Sequence, residues 1–169
     1  HGGYVDKYIG DSVVAVLGAG SWGTAVAVLL ARGGLEVQLG TRTPDQAEAI
    51  ATARENERYL PGVRLPEAIE VRPSSQIELA GIELVCLAVP SASYPQAVGA
   101  LSDRIGRRAA ILLLAKGLIA PKGQLPSEYV TERMQTRGVS CLGGPAHARE
   151  AVSGSAALVL GTSGFLFAA

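Results

Sequence analysis

An excess of charge of either sign is missing from this 169-residue sequence: Lys and Arg total 15, Asp and Glu total 15, and the formal net charge is zero. A balanced chain gives no electrostatic reason to expect a nucleic-acid or anionic-membrane partner, and neither is expected. Any phosphate site must come from local geometry and a few placed cations. Cysteine is scarce. The two present, Cys86 and Cys141, form no CxxC pair, and no histidine cluster accompanies them. Both fall in apolar runs that read as buried strands, over 82–89 and 139–142. They are expected as reduced core thiols, and neither a disulfide nor a metal site is expected. Long apolar stretches are missing too: the runs reach about eight residues, far short of the roughly 20 that span a bilayer. No signal peptide is visible, and a cytoplasmic location is the expectation.

What is present is a globular composition, 48% apolar and 18% charged. A chain of this size hides roughly 70% of its unfolded surface, enough for a proper core. One domain is expected over 12–169, behind an extension or fusion remnant at 1–11. Strands are expected over 12–17, 36–40, 69–72, 82–89, 109–115, 139–142 and 156–160. Helices are expected over 22–32, 43–54, 94–101, 127–135 and 146–152, the second opened by Thr43 as N-cap and Pro44 in the first turn. No internal repeat interrupts this order. The strand over 12–17 lacks period-2 polarity, which suits a strand buried on both faces, and strands alternating with helices predict a doubly wound α/β domain with a mostly parallel, Rossmann-type sheet.

The sharpest local motif is Gly18-Ala19-Gly20-Ser21-Trp22-Gly23, set between a buried strand and an apolar helix. There Gly18 makes a tight turn, Gly20 lets a pyrophosphate approach the backbone, and Gly23 lets helix and strand pack closely. The helix start offers free N–H groups and the positive end of its dipole. At the end of the second strand an NAD enzyme carries an acid for the ribose. Here the sequence reads Gly40-Thr41-Arg42-Thr43. Arg42 is placed to meet a 2′-phosphate, and Thr41 could donate to it, so NADP is expected over NAD. The ends of the later strands carry Val89-Pro90-Ser91, Ala115-Lys116-Gly117 and Gly143-Gly144-Pro145-Ala146. Lys116 is the one cation that a buried strand delivers to this end, and a phosphorylated small substrate would explain it. His147 has no obvious orienting carboxylate, Glu150 being the nearest acid on its helix, so a packing or surface role is expected.

Taken together, VAVLGAGSWGTA (14–25), Asn56 ahead of YLPG (59–62), LAVPS (87–91), AKG (115–117) and GPAHARE (144–150) stand in one order. In that order the chain resembles the N-terminal domain of the bacterial NAD(P)-dependent glycerol-3-phosphate dehydrogenases, from about 12 to 161. The resemblance implies hydride exchange between a nicotinamide and glycerol 3-phosphate or dihydroxyacetone phosphate. It implies that Ser21, Trp22, Arg42 and Ala148 touch the cofactor, alongside Gly18, Gly20 and Gly23. Lys116 would touch cofactor and substrate, and Gly144 and Ala146 would line the substrate. The pattern departs from the family at Ala146, where Ser or Thr is usual, and at His147, where Phe is usual. The family's proton-transferring lysine lies in a C-terminal helical domain that is expected beyond Ala169, so no catalytic residue is assigned within the chain.

A shorter segment, GGYVDKYIGDSVVAV (2–16), resembles the strand–turn–strand of class III nucleotidyl cyclases, with Lys7 and Asp11 matching that family's adenine-reading and metal-holding residues. The rest of that family's machinery is not visible, so the segment is read as a fusion junction or relic, and Asp6, Lys7 and Asp11 as a solvated lead into the first strand. The competing function is a non-catalytic nucleotide-binding or redox-sensing module that keeps the site without the chemistry. A homo-oligomer is left open, and Phe165, Leu166 and Phe167 are candidates for exposed apolar surface.

Overall fold

The structure, a computed structural model, describes residues 13–144 and 147–162. The cyclase-like Lys7 and Asp11, the candidate Ala146 and the apolar Phe165–Phe167 therefore lie outside the described residues.

The first strand, β1 (Val13–Leu17), is VVAVL, with four of its five residues buried. Its Val14 and Val16 enter one apolar cluster, and Ala15 and Leu17 enter another. The sheet is thus covered on both faces, which is why the strand shows no polar alternation. Helix α1 (Ser21–Arg32) buries Gly23, Thr24, Ala25, Val26, Ala27, Val28 and Ala31. That stripe of small side chains lets it lie close on the sheet, and Arg32 stands in its last turn before Gly33. β2 (Glu36–Thr41) follows. Helix α2 (Pro44–Ala53) opens as expected: Thr43 accepts a bond from the Gln46 N–H at 3.3 Å, and Pro44 sits in the first turn. Arg54 ends it with φ at 51°.

β3 (Ile69–Pro73), β4 (Leu84–Leu87), α3 (Tyr94–Leu101), β5 (Ala110–Leu113), α4 (Pro126–Arg133), β6 (Gly138–Gly143), α5 (Ala148–Ser153) and β7 (Val159–Thr162) complete the chain. Short 3-10 turns at Ser74–Gln76 and Ser91–Ser93 break two of the connecting loops. The strand order is β3-β2-β1-β4-β5-β6-β7. All neighbours run parallel except β6 and β7, which are antiparallel. The first six strands have the doubly wound Rossmann order, as expected from the alternation. One core cluster lies under α1, α2 and α5 and the other under α3 and α4. Each fully buried Val, Leu or Ile in them contributes about 1.5–3 kcal/mol.

Two expectations need correction. The last strand sits at 159–162 rather than 156–160, and all four of its residues are exposed. It forms the antiparallel edge of the sheet. Cys86 is fully buried as expected, but Cys141 is only partly covered, because β6 has just this thin edge strand beyond it. No helix among the described residues is long and apolar enough to cross a membrane.

Candidate functional site

The chain leaves β1 at the point where the sheet's winding reverses, between β2 on one side and β4 on the other. In open parallel sheets the ligand crevice opens there, beyond the carboxyl ends of the strands. The glycine loop turns at Gly18, whose φ is +118°. A Cβ on Gly18 would lie 2.5 Å from the Ala88 carbonyl oxygen, at the end of β4. One on Gly23 would lie 1.8 Å from the Gly18 oxygen, yet one on Gly20 would meet nothing within 4 Å. Gly18 and Gly23 therefore serve packing, while Gly20 faces open space. Gly20 is also the N-cap of α1 and supplies no side-chain bond to the first turn. The first turn of α1 therefore receives no side-chain acceptor from its cap.

Three bonds clasp the segment after α2 onto this loop. Asn56, 2% exposed, donates to the Ala19 carbonyl at 3.0 Å and to the Thr24 hydroxyl at 2.8 Å. The Ser21 hydroxyl donates to the Tyr59 carbonyl at 2.6 Å. Farther along, the Arg149 guanidinium donates to the Pro61 carbonyl at 2.7 Å. In the sequence Asn56 is visible only as a member of the motif ahead of YLPG, and these contacts are not. A lone amide flanked by a loop rich in turn residues was the available signal.

Arg42 stands exposed at the end of β2, with its backbone N–H donating to the Gln46 side chain at 3.3 Å. Thr41 does not accompany it. The residue is 1% exposed, and its hydroxyl donates to the Thr43 carbonyl at 2.9 Å, with the Arg72 carbonyl at 3.3 Å. Burial and internal bonds thus remove Thr41 from the phosphate-binding role that its place in sequence suggested.

Lys116 emerges three residues after β5. Its ammonium lies 4.9 Å from the centroid of the Trp22 ring and 3.4 Å from the Gly144 carbonyl oxygen. The ends of β5 and β6 and the first turn of α1 are thereby brought to one place. Gly144 has φ at +136°, and a Cβ there would lie 2.6 Å from the Ala157 oxygen. Trp22 divides two hollows. One is a cleft of about 300 Å³ whose walls include Ser21, Tyr59, His147, Ala148 and Arg149. The other is a shallow depression lined by Leu114, Lys116, Leu142, Gly143 and Leu158. Ala148 is 8% exposed and packs into the core as well as lining the cleft. His147 is exposed, and the Glu150 carboxylate accepts from the His147 backbone N–H at 3.0 Å. That bond fixes the start of α5. No cluster of potential metal ligands exists among the described residues.

Two buried titratable groups support the same end of the sheet. Burial pushes the Cys86 thiol up to about 12. It also raises the Tyr94 phenol, whose hydroxyl donates to the Leu87 carbonyl at 3.3 Å and steadies the end of β4.

Comparison with known proteins agrees with this geometry. The family model described as NAD-dependent glycerol-3-phosphate dehydrogenase N-terminus matches residues 13–163. A relative from Chlorobium limicola, named glycerol-3-phosphate dehydrogenase (NAD(P)+), is 41% identical over 140 residues, covering 81% of this chain and 42% of its own. One of the same name from Deinococcus radiodurans is 43% identical over 139 residues, covering 82% of this chain and 40% of its own. The crystal structure of a glycerol-3-phosphate dehydrogenase from Coxiella burnetii superposes with a TM-score of 0.84 at 28% identity, over 91% of this chain and 47% of that one. A ketopantoate reductase from Ralstonia eutropha, at 21% identity and a TM-score of 0.60, shares the fold alone. The chain spans less than half the length of the glycerol-3-phosphate dehydrogenases it matches. The match over 13–163 runs through every motif from the glycine loop to α5, and the chain belongs to the family of NAD-dependent glycerol-3-phosphate dehydrogenase N-terminal domains.

Proposed function

We propose that this chain binds NADPH, or less tightly NADH, across the carboxyl ends of β1 and β4, with the pyrophosphate over Gly20 and the first turn of α1. The contrast between three glycines carries the reading. Gly18 and Gly23 are filled tightly by their neighbours, while Gly20 opens onto empty space beside an uncapped helix start. That is the cradle a dinucleotide needs. Exposed Arg42 would meet the 2′-phosphate at the β2 end, while Ser21, Trp22 and Ala148 would border the cofactor.

In the whole protein, we place the site's other half at Lys116, Gly144 and Ala146, holding glycerol 3-phosphate or dihydroxyacetone phosphate. The bound cofactor supplies the nicotinamide that exchanges a hydride with C2 of that substrate. The chain's own residues hold and orient. Lys116 offers a cation to the substrate phosphate, and its stacking on Trp22 keeps that cation beside the cofactor cleft. The described residues present no acid–base pair for the alcohol proton. We assign that step to a lysine in a helical domain, the part of the relatives' length that this chain does not span. The unpaired cysteines suit a reducing cytoplasm, where we place the protein.

The test is turnover beside binding. Nicotinamide absorbance with dihydroxyacetone phosphate should show weak or no reaction by the 169-residue chain, although it binds cofactor. Joined to the helical domain of a relative, it should turn over, since general acid–base help is worth roughly 10²–10⁴ in rate. Robust turnover by the 169 residues alone would refute the division of labour and bring His147 and Glu150 back as candidates. Binding without turnover even after the domain is supplied would favour a non-catalytic sensing module.

A further inference from the structure

The dinucleotide reading leaves the buried side chain of Asn56 without a task. An apolar residue would fill the same space without burying an amide. Both Nδ2 hydrogens are instead spent where the glycine loop enters α1, on the Ala19 carbonyl of the loop and the Thr24 hydroxyl in the helix's first turn. Asn56 is itself fixed, since its backbone carbonyl accepts from the Tyr59 N–H at 3.1 Å and the Leu60 N–H at 2.8 Å. Leu60, 2% exposed, anchors that turn in the core.

The consequence lies in peptide geometry. The Ala19 carbonyl and the Gly20 N–H belong to one peptide unit, and the only cis peptide among the described residues is Ala120-Pro121. In a planar trans peptide these two groups point in opposite directions. The bond from Asn56 holds the carbonyl on the side of the 56–62 segment, so the Gly20 N–H is aimed the other way. Gly20 is also the loop glycine with open space around it. The Gly20 carbonyl is already taken, by the Thr24 N–H at 2.9 Å.

We propose that Asn56 is a positioning residue for the cofactor: through the Ala19–Gly20 peptide it aims the Gly20 N–H at the pyrophosphate. The inference rests on the dinucleotide reading above and adds to it a residue that touches no ligand.

Calorimetric titration of the chain and of Asn56→Ala should use two ligands, NADPH and adenosine 2′-phosphate. The second keeps the adenosine and the 2′-phosphate but has no pyrophosphate. Asn56→Ala should weaken NADPH by at least about tenfold and adenosine 2′-phosphate by less than about twofold, the difference expected when one bond to a charged group is misaimed. A residue that only supports the fold would weaken both ligands or neither. Asn56→Ser serves if the alanine variant does not fold. The unsubstituted chain gives an independent readout: the Gly20 amide resonance should move on adding NADPH and stay in place with adenosine 2′-phosphate. Equal losses for the two ligands, no loss in a folded variant, or a Gly20 amide indifferent to NADPH would each overturn the proposal. A parent chain that binds neither NADPH nor NADH would overturn the dinucleotide reading itself, and this inference with it.

Discussion

The Lys116 ammonium rests 4.9 Å from the centroid of the Trp22 ring, joining the end of β5 to the first turn of α1. Trp22 is the only tryptophan in the sequence, so its emission reports this contact without interference. Lys116→Ala should therefore change the emission of the ligand-free protein. An exposed cation–π contact is worth about 0.5–1 kcal/mol. At roughly 2–4 °C per kcal/mol for a domain of this size, Tm should fall by only about 1–4 °C. Unchanged emission in Lys116→Ala would mean that the ring and the ammonium do not meet in solution.

Gly23→Ala tests the packing of the glycine loop apart from any ligand. The added Cβ would need to displace the Gly18 backbone, 1.8 Å away, and the Ala88 side chain, 2.8 Å away. Backbone cannot yield as a flexible side chain does, so a loss of about 1–3 kcal/mol is expected. Differential scanning calorimetry should show a lower Tm. A Tm equal to the parent's would show that α1 and β1 are not packed as closely as described.

Much of this is legible in the sequence. The Val13–Leu17 strand, the glycine loop and the helix behind it follow from one unbroken pattern of apolar residues and glycines. The helix expected over 94–101 is found at Tyr94–Leu101. The direction of β7 was not legible, because strand polarity is decided by what a strand meets across the sheet. Nor was the position of Thr41's hydroxyl: its residue lies at the right strand end, but the chain's return at Arg72 supplies the carbonyl beside it. The meeting of Lys116 with Trp22, and of Asn56 with Ala19, joins residues far apart in sequence, and no local pattern encodes such a distance.

Arg42 carries the choice of cofactor. A charge-assisted bond to a 2′-phosphate is worth about 1.5–3 kcal/mol, so NADPH should bind roughly ten- to a hundredfold more tightly than NADH. Arg42→Ala should narrow that gap, and added salt should narrow it in the parent, because the site is exposed. Competitive titration of both cofactors measures it. NADH binding at least as well as NADPH would remove Arg42 from this role.

Cys86 should make the protein lose stability in alkali. Its folded thiol is held up to about 12 by burial, against an ordinary value of about 8.5. Above that ordinary value the unfolded chain gives up a proton that the folded chain retains. Stability is thus intact below pH about 8.5 and is lost toward pH 12, by up to roughly 1.4 kcal/mol per pH unit. Tyr94, raised in the same sense, should add to the slope above its ordinary value of about 10. Urea denaturation across pH 8 to 11 should show the decline, and Cys86→Ala should flatten its first part. An unchanged slope in that variant would mean the thiol is not sealed in the core.

The central claim is that the open space at Gly20 is a pyrophosphate site, and one titration tests it most directly. The 169-residue chain and its Gly20→Val variant are each titrated with NADPH and with NADH, by calorimetry and by Trp22 emission. A Cβ at Gly20 would touch nothing within 4 Å, so the variant should fold with a Tm near the parent's. The account predicts saturable one-site binding by the parent, tighter for NADPH, and no measurable binding by the folded variant. Equal affinities in parent and variant, or a folded parent that binds neither cofactor, would contradict it.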